Sequence, residues 1–363
     1  MRIFQNSGIY ASYKVRLADL TKNCSTFKGS RDIFLNDRFG ACHFLKPILD
    51  GSPNSFFTNG DDRISQGYWA REQGMPKASS LEDILLAQIE DHRTEIFYNL
   101  DPMRYGSNFV KKLPGCVAHT VAWRAAPSPG ADFSSYSVVV CNFPSIIKGY
   151  QDRGWNSAYL SPAHDSIMDS YAINTQRPID VLFVGGYTRH HRQRASILEM
   201  VSMLTDDHKI VYMLDSSRLT KLAESTAGKF LPLKSHRRPI NIQKVSSGPV
   251  FGLELYRALS KARIVLNGAI DMAGNERGNM RCFEAMGCGA LMVGDHGVYP
   301  QGMIPGKNFL GYKDPNDVVS TIQNALASPE RAQEIARNGF NMIRTEYDKN
   351  IQWKQFQEIV EGL

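Results

Sequence analysis

The feature that most constrains this chain is a strand-and-helix rhythm that stops and then starts again. TEIFYNLD (94–101), CVAHTVAW (116–123) and YSVVVCNFP (136–144) are short apolar runs of the kind a sheet covered on both faces requires. SIIKGYQDRGW (145–155) continues as a helix and NSAYLSP (156–162) as a short strand. A polar stretch containing Pro178, INTQRPID (173–180), then reads as a linker. Beyond it the pattern reopens: strand DVLFVGG (180–186) with its glycine turn, helix RASILEMVSML (194–204), strand HKIVYMLD (208–215) and strand INIQKV (240–245). Helix GLELYRALSKA (252–262) and strands RIVLNGA (263–269) and ALMVGD (290–295) follow, and the tail from Asp314 reads as helical. Such alternation predicts an α/β protein with parallel sheets. Its restart predicts two doubly wound, Rossmann-like domains facing across a cleft, with ligands beyond the carboxyl ends of the strands. The boundaries are set at 1–173 for an N-terminal, acceptor-binding domain and 174–345 for a C-terminal, nucleotide-binding one. Residues 346–363 are expected to form a helix that packs back on the N-terminal domain.

A length of 363 residues suits two such domains. The first ninety residues are less legible. RIFQNS reads as a strand ending near Gly8, YKVRLADLTKN (13–23) as a helix, and 24–80 only as helices and loops. SSLEDILLAQIEDH (79–92) is a clear helix, with Ser80 as cap, Glu82 and Asp83 in the first turn, and an apolar stripe through Leu81, Ile84, Leu85 and Ile89. A net charge of +6 does not demand nucleic acid and suits local basic pockets for anions. The six cysteines form no CxxC pair, and the amino terminus has no signal-peptide core, so a cytoplasmic protein with reduced thiols is expected. No apolar run reaches the length of a membrane span, which leaves only peripheral membrane contact open.

Chemistry concentrates in ERGNMRCFEAMGCG (276–289). A helix is expected from about Asn279 to Gly287, closed by Gly287 or Gly289. Its first turn presents free backbone N–H groups and a positive dipole end, which suit a phosphate, and Arg281 adds a cation there. Glu284, inside the helix, can accept two hydrogen bonds at once, matching vicinal ribose hydroxyls. Glu276 precedes the helix and can reach a sugar on the far side of the phosphates. The alternative is a glycine-rich turn whose glutamates merely face solvent. A second cluster, GGYTRHHRQR (185–194), sits at the first strand-to-helix turn of the second domain. Gly186 opens the turn, and Arg189, His190, His191, Arg192 and Arg194 offer donors for a diphosphate. A solvated basic helix start is the competing reading, although such a start opposes its own dipole and an anion would relieve it. Adjacent histidines cannot easily face one ion, and no carboxylates accompany them, so no metal is expected.

The run RIVLNGAIDMAGNERGNMRCFEAMGCGALMVGD resembles the C-terminal domain of GT-B glycosyltransferases, over roughly residues 178–350. Its nearer likeness is to the spore-maturation CgeB-like group, in which a strand ending in Asn precedes an R-x-F-E-A-x-x-C-G helix. The pair Glu276 and Glu284 also resembles the glutamate pair of the large retaining GT-B families. The resemblance implies that Glu284 binds the ribose of a sugar nucleotide and that Glu276 contacts the donor sugar. It also implies that the loop of KVSSGPVFGLELY (244–256), with Gly252, forms the nucleobase pocket. A simple strand-to-helix connection is the alternative for that loop.

The expected activity is transfer of a sugar from a nucleoside-diphosphate sugar to an acceptor hydroxyl on a glycan, protein or small molecule. It needs no metal and no cofactor beyond that donor substrate. The acceptor side falls to the first domain, where Asp101 is the best-placed general base for an inverting enzyme and Trp123 with Arg124 ends another strand. The retaining families often hold a histidine where Trp123 and Arg124 stand here, and its absence leaves the stereochemistry open. His164 and Asp165 lie near the interdomain crossing, as cleft lining or as a hinge. The alternatives are a nucleotide-sugar epimerase of the same fold, or a non-catalytic sugar-nucleotide or glycan-binding protein. A dinucleotide oxidoreductase is disfavoured because no G-x-G-x-x-G occurs at either opening turn. Base, sugar, acceptor and oligomeric state are not readable.

Overall fold

The computed structural model describes residues 1–188, 191–268 and 274–363, apart from the side chain of Lys229. These residues form two compact units, Met1–Ala163 with Tyr347–Leu363, and His164–Glu346.

Unit one is built on a parallel sheet of β1 (Ile3–Asn6), β2 (Ser55–Thr58), β3 (Ile96–Asn99), β4 (His119–Trp123), β5 (Val138–Cys141) and β6 (Ser157–Tyr159). The strand order is β2-β1-β3-β4-β5-β6. Every residue of β1, β3 and β5 is buried, as strands covered on both faces must be. Sequence reasoning did not find β2. SFFT is only four residues long and hidden among turn signals, yet it pairs in register with β1, Ile3 opposite Ser55. The helix Leu81–Asp91 starts at a reciprocal cap in which the Ser80 and Asp83 side chains each bond the other's backbone N–H. Its Leu85 and Ile89 pack with Phe4, Phe97, Tyr105 and Phe109 over the sheet.

The helix Lys349–Glu361 belongs to this unit, held by a buried lysine. Lys349 Nζ donates to the carbonyls of Ala41 (2.8 Å), Cys42 (3.1 Å) and Phe44 (2.7 Å) and to Gln352 Oε1 (3.0 Å). That set compensates the burial of an ammonium group. Nearby His43 is held neutral, its pKa pushed down to about 3 by burial and by the charge of Lys349.

Unit two carries β7 (Ile179–Gly186), β8 (Ile210–Asp215), β9 (Ser246–Ser247), β10 (Ala262–Asn267), β11 (Leu291–Asp295) and β12 (Leu310–Tyr312). They form a parallel sheet in the order β12-β11-β10-β7-β8-β9. The chain winds outward from β7 through β8 to β9, then returns to β10 on the other side, so the order reverses between β7 and β10. Val181, Phe183, Leu198, Tyr212, Ile264 and Ile322 are among its core side chains.

One predicted strand is corrected. INIQKV forms the helix Ile240–Val245, and β9 is the two residues that follow it. Its alternating letters fit a strand, but Ile242 and Val245, three apart, face the core while Ile240 is exposed. That is helical spacing, and Pro239 stands at the N-cap. Among the described residues no helix is long and apolar enough to cross a membrane.

Candidate functional site

In an open α/β sheet the place to look is where the strand order reverses, here at the carboxyl ends of β7 and β10. Asn267 ends β10, and the helix Met280–Gly287 starts from Asn279. These two asparagines pair reciprocally: each Nδ2 donates to the other's Oδ1 at 3.0 Å. The pairing engages the Asn279 side chain, which makes no cap hydrogen bond to the first helical turn. Cys282, Phe283, Ala285 and Met286 bury the helix against the sheet. Past the C-cap Cys288, Gly289 takes φ +71°, and a Cβ there would stand 2.9 Å from the carbonyl of Ala172. Glycine is required at that position.

Glu284 is only 4% exposed. Its Oε2 accepts from Arg281 Nη1 at 2.7 Å, one helical turn back. Burial pushes the Glu284 pKa up and the Arg281 charge pulls it back. Arg281 Nε is also buried and finds no hydrogen-bond partner among the described residues. The start of this helix therefore holds first-turn N–H groups that the Asn279 side chain does not cap, a fixed guanidinium with an unused donor, and a buried carboxylate. Such a set can bind an anion and accept from hydroxyls.

Glu276 is half-buried and precedes the helix, in a bridge with Val298. The adjacent backbone is fixed by Arg277 N–H donating to the Val298 carbonyl and Val298 N–H donating to the Asn275 carbonyl, both at 2.8 Å. Arg277, which sequence reasoning passed over, is paired with Asp295 at the end of β11 (Nε to Oδ2, 2.7 Å). This buried pair sets the position of the segment that carries Glu276.

On the β7 side, Gly186 ends the strand and a Cβ there would meet open space. Arg189 and His190 lie outside the described residues. Arg192 is the exposed first residue of the helix Arg192–Ser202. Arg194 reaches across the switch point, its Nη2 donating to the carbonyl of Gly268, beside Asn267. The spacing of the basic run gave no sign which arginine would turn that way. Gly252, the first residue of the helix Gly252–Ser260, has φ +58°, which by itself favours glycine.

Asp101 belongs to unit one, just after β3. Asn6 Nδ2 donates to Asn99 Oδ1 (2.9 Å) where β1 and β3 end, and the Asp101 N–H donates to the same oxygen (2.9 Å). A Cβ on Gly8 would lie 2.9 Å from Asp101 Oδ2, so the β1 turn packs directly on this carboxylate. Burial pushes the Asp101 pKa up, against the pull of Arg104 at 3.3 Å. Asp61, in the TNGDD turn, is a buried carboxylate that feels the Asp101 charge: it accepts from Ile9 N–H at 3.0 Å, and its pKa is raised by burial and by Asp101, against the pull of Lys14. Only its turn context marked Asp61 in the sequence. Trp123 is buried against the His43 ring, centroids 4.4 Å apart, and Arg124 donates to Ser128 Oγ at 2.8 Å. His119 is half-buried at the start of β4. In unit two His164 bonds Asp169 (2.8 Å) and Asp165 accepts from Tyr256 Oη (3.4 Å), as parts of local packing.

Comparison with known proteins agrees with this architecture. Residues 218–358 match the family described as glycosyl transferase-like. No curated protein matches the chain. Among solved structures it is similar to Anabaena HepE in complex with UDP and glucose, at 12% identity, 100% of both chains covered and a TM-score of 0.60. It is similar to sucrose-phosphate synthase from Thermosynechococcus elongatus at 13% identity, with 99% of this chain and 98% of that chain covered and a TM-score of 0.57. A glycosyltransferase from Rickettsia africae follows at 9% identity, 98% and 97% coverage and a TM-score of 0.55. At such identities the structural likeness establishes the fold, which is GT-B. With that fold and a glycosyl transferase-like domain over residues 218–358, the chain is a glycosyltransferase.

Proposed function

We propose that the enzyme takes its sugar from a nucleoside-diphosphate donor held in unit two and passes it to a hydroxyl of a glycan, protein or small molecule. The observation that carries this reading is the buried Glu284 carboxylate, fixed by Arg281 at the start of the helix Met280–Gly287. In this reading Glu284 accepts hydrogen bonds from the ribose hydroxyls. The first-turn N–H groups around Asn279 and the Arg281 guanidinium face the diphosphate, with Gly186, Arg189, His190 and Arg192 on the β7 side. Glu276 contacts the donor sugar, and the turn at Gly252 borders the base. Charge developing on the leaving diphosphate is then stabilised by fixed donors and needs no metal. Asp101 takes the proton of the acceptor hydroxyl, its raised pKa bringing it nearer a working base. The presence of UDP and glucose in the HepE structure favours a uridine diphosphate sugar. The run from Arg281 to Gly289 supports a place beside the CgeB-like group, and six free cysteines support a cytoplasmic setting.

A melting-point screen of nucleoside diphosphates and their sugars, followed by turnover with the donor that stabilises most, tests this reading. The expected result is stabilisation by one nucleotide class and sugar release or transfer that is unchanged by EDTA. Absence of stabilisation by any of them would sink it. Interconversion of the sugar nucleotide without acceptor would make the protein an epimerase.

A further inference from the structure

Residues 216–240 hold six lysines and arginines (Arg218, Lys221, Lys229, Lys234, Arg237, Arg238) against one carboxylate, Glu224. This net +5 is nearly the whole chain's +6. Two of the cations serve the fold. Arg238 Nε donates to Glu224 Oε1 at 2.7 Å, and Arg237 donates to the carbonyls of Ala223 and Gly228, each at 3.0 Å. They pin the short helix Arg218–Glu224 against the turn Ala227–Phe230 as one projection beyond β8. Arg218, Lys221 and Lys234 are exposed and form no ion pair among the described residues. This helix and turn, with the residues that follow to 240, expose large apolar side chains: Phe230 at 89%, Ile240 at 73%, Leu219 at 48%, and Leu222 and Leu231 at 45% each. Among the described residues, five of the eighteen exposed large apolar side chains thus fall within twenty-five residues, a cluster rather than a scatter.

We propose that this projection docks the enzyme on a bilayer containing anionic lipids. Cations attracted to a negative leaflet and apolar side chains seated at the headgroup boundary are the two components of interfacial binding, and both are present here. Leu219 and Leu222 lie one helical turn apart, while the long stems of Lys221 and Lys234 can keep their charges in the headgroup layer. A soluble polyanion such as nucleic acid would satisfy the cations but leave Phe230, Leu231 and Ile240 in water. The combination therefore favours lipid.

The test is co-sedimentation of the full chain with vesicles of phosphatidylcholine alone or mixed with phosphatidylglycerol, with heparin as a soluble polyanion. The protein should partition to the anionic vesicles and be released by high salt. The pairs Phe230→Ser with Leu231→Ser, and Lys221→Glu with Lys234→Glu, should each lower partitioning about tenfold or more. Both should leave the melting point and donor binding in solution unchanged. Wild-type protein remaining in the supernatant with anionic vesicles would overturn the proposal. So would vesicle binding that is unmoved by the serine pair and matched by heparin, since that result describes a polyanion site.

Discussion

Replacing Glu284 by Gln probes the proposed donor site with little change of shape. The amide oxygen can still accept from Arg281, while the negative charge at the proposed ribose position disappears. A hydrogen bond to a charged group contributes about 1.5–3 kcal/mol, and 1.4 kcal/mol is a factor of ten in affinity, so UDP should bind about tenfold to a hundredfold more weakly. Glu284 is 4% exposed, so solvent screens little of this effect. Titration calorimetry across pH supplies a second signature. Burial raises the carboxyl's pKa, so wild-type affinity should be full above that raised value and fall as pH drops through it. The Gln variant should lack this limb. Linkage fixes the stability sign as well: the native state holds this proton more tightly than the unfolded chain, so the group adds stability as pH falls through its folded pKa and none above. A Gln variant that binds UDP as tightly as wild type, with the same pH profile, would refute the reasoning.

Other perturbations follow from the same geometry. Arg277→Met removes the guanidinium facing Asp295, and urea unfolding should show a loss of about 3–5 kcal/mol, partly restored by adding Asp295→Asn. Asp101→Asn should lower kcat about a hundredfold or more in a transfer assay while calorimetry finds UDP affinity unchanged. The acid limb of the wild-type kcat profile should sit above the ordinary carboxylate range, because burial raises the Asp101 pKa. Gly289→Ala should lower the melting point, with a left-handed backbone costing about 1–2 kcal/mol and the Ala172 carbonyl only 2.9 Å from the new Cβ.

What the sequence reveals here divides along a physical line. Elements whose signals are local could be read: the Ser80 cap, the buried apolar runs of β3, β5 and β10, and the limits of the helix that starts after Asn279. Elements decided by tertiary packing could not. SFFT becomes a strand because β1 offers it a partner, and INIQKV becomes a helix because the core takes Ile242 and Val245 together. The candidate site divides in the same way. Glu284 and Arg281, three residues apart on one helix, announced their proximity. The Asn267–Asn279 amide pair, the Arg277–Asp295 ion pair and the reach of Arg194 to Gly268 join different elements, 12, 18 and 74 residues apart, and no spacing rule encodes them. Asp61 and Asp101 are likewise forty residues apart and come together only when β2 and β3 pair on either side of β1.

The central claim concerns where the donor nucleotide sits, and a crystal structure of the protein with UDP tests it most directly. The account predicts the diphosphate against the first turn of Met280–Gly287 and the ribose hydroxyls within hydrogen-bonding distance of Glu284. A nucleotide bound elsewhere in the chain, with Glu284 still engaged only by Arg281, would contradict it.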